Sequence, residues 1–300
     1  MATLTPEQLT EETELRPRAA YFAFAAAALS LLGGIGALLF SQGLPAVTAD
    51  SAVDILEAMQ ARLVDGAEPA RSLRAVQFEY LGDHLLGWIT PAAFTAFGTL
   101  VLLIPIGFIF QATRARKDDL RPLGGTMLQL GGVLSAAGGL GSAIIIGIEA
   151  SSFTGTSAAE ARDALTTQPA IALQVLGFVG SFMFAIGVII VSLNAMRAGL
   201  LTRFVGVLGI VVGASVIVPI QLDQINLLRS SWLLFVGLIL LGKMPGASSD
   251  PPAWRRGEMI PWPSQQEIRE RREAERAAAE GGTLPDTGDA PSRRSRKRRA

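Results

Sequence analysis

Five stretches of this 300-residue chain are apolar for long enough to cross the hydrocarbon core of a bilayer as helices: residues 19–40, 85–110, 127–148, 171–196 and 204–220. A helix needs about 20 such residues for the crossing. A sixth candidate, 225–242, is interrupted near its start by Arg229, and its unbroken apolar run begins only at Trp232. The distribution of charge brings it in. With six spans, 21 of the Lys and Arg residues fall on the side that holds both termini and 5 on the other. The positive-inside rule assigns the richer side to the cytoplasm, whereas omitting the sixth span would strand the basic tail outside. The expectation is therefore an all-α integral membrane protein of the plasma membrane. It would have a cytoplasmic segment 1–18, a bundle of six transmembrane helices over 19–243, and a flexible basic cytoplasmic tail over 244–300. The first span is expected to stay as an anchor, because its run is too long for a signal peptide and an acidic segment precedes it.

Two loops, about 44–83 and 150–169, are expected on the external side, each with a helix of its own. In "SAVDILEAMQARLVDG" Ser51 and Asp54 have capping-box spacing, followed by Ala52, Leu56, Met59 and Leu63 on one helical face. "SAAEARDALTTQP" repeats the device with Ser157 and Glu160 and stops before Pro169. Within the bundle, lipid is as apolar as leucine, so helices associate through close packing of small residues. Gly131, Ser135 and Gly139 share one face of the third span, Gly138 and Ser142 an adjacent one, and Gly209 and Gly213 part of the fifth. Packing inside one bundle accounts for them. Pro91 and Pro105 remove backbone donors from the second span and are expected to kink it.

Little chemistry is available to such a chain. It has no cysteine and one histidine, which excludes disulfides, thiolate metal sites and paired-histidine ligation. No cofactor and no catalytic residue are expected. No span interior holds a carboxylate, the usual carrier in proton-coupled transport. Thr95, Thr99, Ser135 and Ser181 fall at similar depth and would line a polar path, or else bond back to their own helices. Asp83, His84, Glu149, Asp223 and Arg229 are expected at one depth on the external side. Glu149 sits at a helix C-terminus, where the dipole disfavours an anion by about 0.3–1 kcal/mol. A partner such as Arg229, or a bound cation, would relieve it. The simpler expectation is that these charges end helices at the interface.

Two of the four tryptophans, Trp254 and Trp262, lie in "DPPAWRRGEMIPWPSQQ", a polar and proline-rich stretch just past the last span. Indoles favour membrane interfaces, and the prolines favour an extended strap over a helix. The strap is expected to tuck both indoles against headgroups or against the inner mouth of the bundle, with a protein partner as the competing explanation. Ser264 and Glu267 then cap a charged, solvated helix before a disordered end. The terminal "SRRSRKRRA" points to retention and to anionic lipid, and its lack of aromatics weighs against nucleic acid. "NAMRAGLLTRFVGVLGI" and "PPAWRRGEMIPWPS" resemble segments of a family of uncharacterised actinobacterial multi-pass membrane proteins with six helices. That resemblance covers the C-terminal third and implies location without activity. The leading expectation is a non-enzymatic scaffold or regulator acting through its tail. The alternative is a transporter or channel for a small or lipophilic solute, recognisable by a continuous polar path past Thr95 and Ser181.

Overall fold

A computed structural model describes residues 4–45, 72–117, 119–217, 225–244, 251–260, 269–270 and 273–276. The helix expected from Ser51, together with Asp223 and Trp262, lies outside the described residues. Within them the chain is all-helical: α1 (Pro6–Gly43), α2 (Leu73–Asp83), α3 (Leu85–Arg116), α4 (Leu123–Ser151), α5 (Ala158–Leu165), α6 (Gln168–Ala198), α7 (Arg203–Ile217), α8 (Ile225–Leu240) and α9 (Pro252–Arg256). Helices α1, α3, α4 and α6 are long and apolar enough to cross a membrane, while α7 and α8 are shorter apolar helices. Large apolar side chains such as Leu39, Phe97, Phe178 and Phe204 are exposed on the outside, as a lipid-facing surface requires. The residues from 262 onward form a separate unit, in which 269–270 and 273–276 are helical and exposed.

Helix α1 begins well before its apolar run. Thr5 and Gln8 form a reciprocal capping box and Pro6 occupies the first turn, so the acidic segment is helical from the start. Its 38 residues extend about 57 Å. Ala19, Ala20, Ala23, Ala26 and Ala27 form a buried stripe that lets α3 and α8 pack close against α1. The α4–α6 contact is the most extensive in the bundle, and the glycine spacing explains it. A side chain at Gly138 would collide with the backbone of Gly177, so these two helices approach as closely as their main chains allow. Gly131 meets Phe184 in the same seam and Ser135 meets Gly180, whereas Gly139 has open space before it. Helix α3 runs without interruption through Pro91 and Pro105.

The two ends of the bundle are closed differently. At the end holding the long loops, Ser72 caps α2, Ser157 and Glu160 form the expected capping box on α5, and Phe78, Leu81, Ala150 and Ala161 make a small separate core. At the opposite end, which holds the N-terminus, α9 packs into the main core through Ala253 and Trp254. The proline-rich strap is therefore not extended here: Pro252 stands at the first turn of a short helix, where its missing N–H does no harm, and Gly257 ends that helix at φ +67°.

Candidate functional site

Between α1, α3, α4 and α6, with the tips of α7 and α8 below, lies a cavity of about 700 Å³. Its upper part reaches Phe40, Leu44 and Trp88 near the loop end, and its floor is formed by Thr99, Phe184 and Arg229. Most of the wall is apolar or glycine. Gly139 leaves room on the α4 side, and Pro91, Ala92 and Ala96 present a smooth α3 face. Trp88 is held in place by its indole N–H, which donates to the Ala143 carbonyl at 2.9 Å. The polar groups are few: Ser41, Ser142 and Gln174 lie toward the loop end, and Thr95, Thr99, Ser135, Ser181 and Arg229 lie deeper. Ser135 and Ser181 share a hydrogen bond of 2.7 Å across the α4–α6 seam, and Thr99 donates to the Thr95 carbonyl at 2.8 Å. All four hydroxyl residues expected at one depth thus line one space, two of them bonded between helices.

Arg229 is the one charged residue among the described residues that line this cavity. Its side chain is buried, donates from Nη2 to Thr99 Oγ1 at 2.9 Å, and lies 5.7 Å from the centre of the Phe184 ring. Its Nε is buried with no acceptor. Thr99 stands 14 residues into α3, about 21 Å from the loop end, and a further 17 residues, about 26 Å, from Arg116 at the other end. Arg229 therefore occupies the middle of the bundle, a costly place for a charge and by that fact a functional candidate.

That position corrects the sequence reading, which put Arg229 with the charges at the loop end. Counting back from Leu240 gives the reason. Eleven residues of helix, about 16 Å, separate Arg229 from Leu240, and the Arg229 side chain meets Thr99 well inside α3. Glu149 lies 14 residues, about 21 Å, beyond Ser135 along α4 and makes no ion pair with Arg229. Asp83 and His84 are exposed at the α2–α3 junction, close to where Gly82 packs on Ala150, so these two and Glu149 do share the loop end. The His84 ring stacks on Tyr80 at 4.0 Å and its Nδ1 lies 2.9 Å from the Tyr80 carbonyl. Among the described residues no group of His, Asp and Glu has the arrangement of a metal site.

A second polar constellation, not anticipated from the sequence, surrounds Trp254. Its ring is buried, its N–H donates to the Leu200 carbonyl at 2.9 Å, and it stacks on Phe108 at 5.9 Å with the planes 6° apart. Arg16 and Arg116 lie over the same ring at 4.8 and 5.4 Å. Arg116 is fully buried, paired with Glu12 at 2.9 Å and bonded to the carbonyls of Ala253 and Ala112, while Arg16 reaches the Ile239 carbonyl. Of the alternatives for Trp254, the indole faces the bundle itself.

No protein-family model matches the chain, and no curated protein and no solved structure matches it either. Its class rests on its own helices, and it is a helical membrane protein.

Proposed function

We propose that this chain is a non-enzymatic multi-pass protein of the plasma membrane that takes a lipophilic solute into the cavity above Arg229. The observation that carries the reading is the cavity. Its volume falls in the range of about 300–1,000 Å³ common to small-molecule sites, and its apolar wall with few polar groups is the usual composition of such sites. A buried arginine at the foot of that space, bonded to Thr99 and with Nε lacking an acceptor, supports the solute reading. The scaffold reading keeps one support, the docked segment 251–260, which ties the tail to the bundle.

In this proposal both termini are cytoplasmic, and the basic tail adds contact with anionic lipid at that face. The fifth and sixth spans are α7 and α8, whose described parts extend about 22 and 24 Å. A C-terminal fluorescent reporter should therefore work and a C-terminal periplasm-dependent phosphatase should not. Because the chain has no cysteine, a single Cys at Ser157 should be labelled by an impermeant maleimide from outside, and the opposite pattern would refute the topology.

The solute reading is tested by filling the cavity. Gly139→Leu adds a side chain where nothing lies within 4 Å. Full-length protein in nanodiscs should bind a neutral lipophilic dye at about one per chain, and the variant should lose it at unchanged stability. Equal binding by both would sink the reading.

A further inference from the structure

We infer that the cavity, on the reading just given, takes an anionic single-tail amphiphile whose carboxylate or phosphate head pairs with Arg229. Three observations converge on this. First, the guanidinium is incompletely satisfied. It has five N–H donors and no acceptor capacity; Nη2 is bonded to Thr99 and Nε has no acceptor. The single donor of Thr99 is committed, because its proton goes to the Thr95 carbonyl. Second, among the described residues no carboxylate approaches Arg229, although a charge at mid-depth is retained at large expense unless it is paired or functional. An acidic head supplies the missing charge and fits the planar fork of the guanidinium through two parallel hydrogen bonds. Third, the space leading away from Arg229 is walled mainly by apolar residues and glycine, with Ser142, Gln174 and Ser41 as its polar exceptions. From Thr99 up to Trp88 it runs 11 residues of α3, about 16 Å, past Ala92, Gly139 and Ile146 to the Phe40 ring.

The charge also excludes alternatives. A cationic solute would meet only a like charge in the dry interior, where repulsion is poorly screened. A neutral lipophile would fill the upper cavity but leave the Arg229 donors unmatched. Charge therefore specifies the head, and the apolar wall specifies the tail.

The test uses the full chain in nanodiscs of zwitterionic lipid, with dodecanoate, dodecyl phosphate, dodecanol and inorganic phosphate as probes. Binding of the two acids at one per chain, at least about tenfold tighter than dodecanol, is expected from a charge-assisted pair. The tighter of the two identifies the head as carboxylate or phosphate. Arg229→Gln should erase that preference while leaving dodecanol affinity within about twofold of the original, and Arg229→Lys should keep part of it. Equal affinity for dodecanol and the acids, or a loss in Arg229→Gln that is the same for all three, overturns the anion assignment and leaves the lipophile reading standing. Inorganic phosphate binding as well as dodecyl phosphate overturns it too, since the tail then contributes nothing. Absence of all binding, or binding unaffected by Gly139→Leu, overturns both. Asp223→Asn guards against a resident counter-ion in the α7–α8 connection. Unchanged acid affinity supports the vacancy at Arg229, and a rise of about tenfold or more refutes it. Should Arg229→Gln fail to fold, the comparison of acid with alcohol on the unaltered chain, together with Gly139→Leu, still decides the question.

Discussion

Replacing Trp254 with alanine should release the tail from the bundle without unfolding the spans. Segment 251–260 is tied to the bundle by hydrogen bonds to its backbone at Ala253, Gly257 and Ile260, and its largest buried group is the indole, enclosed by Phe108, Arg16 and Arg116. Undocking exposes that ring to water, since the segment lies beyond the end of the apolar spans, so the full hydrophobic effect applies to it. A tryptophan buries roughly 150–250 Å². At about 25 cal/mol per Å² this amounts to roughly 4–6 kcal/mol, of which alanine keeps a small part. Core Trp→Ala replacements cost about 3–5 kcal/mol, and the lower end of that range already corresponds to more than a hundredfold in the docking equilibrium. Hydrogen exchange reads it locally. Three amides report on the docked state: Ile260, which donates to the Ala198 carbonyl, Leu4, which donates to Gly257, and Gly257, which closes α9 on Ala253. Their protection should fall by about a hundredfold or more in Trp254→Ala, while amides inside α4 and α6 keep theirs. Trp254→Phe keeps an aromatic ring beside Phe108 but loses the bond to Leu200 and part of the buried indole area, so its loss should be smaller than that of alanine. Protection at Ile260 that is unchanged in the alanine variant would refute the docked tail, as would a native Trp254 with the emission of a water-exposed indole.

Gly138→Ala puts a methyl group against the Gly177 backbone and should destabilise the bundle by about 1–3 kcal/mol in thermal or denaturant unfolding, whereas Gly139→Ala should be neutral or slightly stabilising. Glu149→Gln and Arg229→Gln should be additive within about 0.5 kcal/mol in a double-mutant cycle, because roughly 20 Å of helix separates them, and a larger coupling would bring Arg229 back to the loop end. The Glu160 carboxyl is held below its ordinary value of 4.5, first by the backbone N–H of Ser157, then by the Ser157 hydroxyl and the backbone N–H of Thr156. With the folded value the lower one, the cap stabilises α5 fully above the ordinary value and loses its effect as pH falls through the depressed one. A carboxyl NMR titration should show that depressed midpoint, and Ser157→Ala should raise it.

What the sequence determined by itself was whatever follows from the bilayer and from short-range chemistry. Runs of about 20 apolar residues have one stable form in lipid, so α1, α3, α4 and α6 follow from hydropathy alone. The caps at Ser157 and Glu160 act over three residues, and the glycines at 131 and 138 lie on a face that any close partner must use. Which helix fills that face is not local information, and packing assigned it to α6. Depth was the subtler matter. Hydropathy ranks Arg229 by its neighbours in the chain and reads it as the ragged start of a span. The tertiary structure measures it against Thr99 and Phe184, because α8 is positioned by its contacts with α1 and α7 and by Arg16 at the Ile239 carbonyl. The tail behaved likewise: its prolines rule out a long helix, but one turn and a buried indole became favourable only where Phe108, Leu200 and two arginines supplied a pocket. Both outcomes depend on contacts across more than a hundred residues, and no window of sequence contains the two partners together.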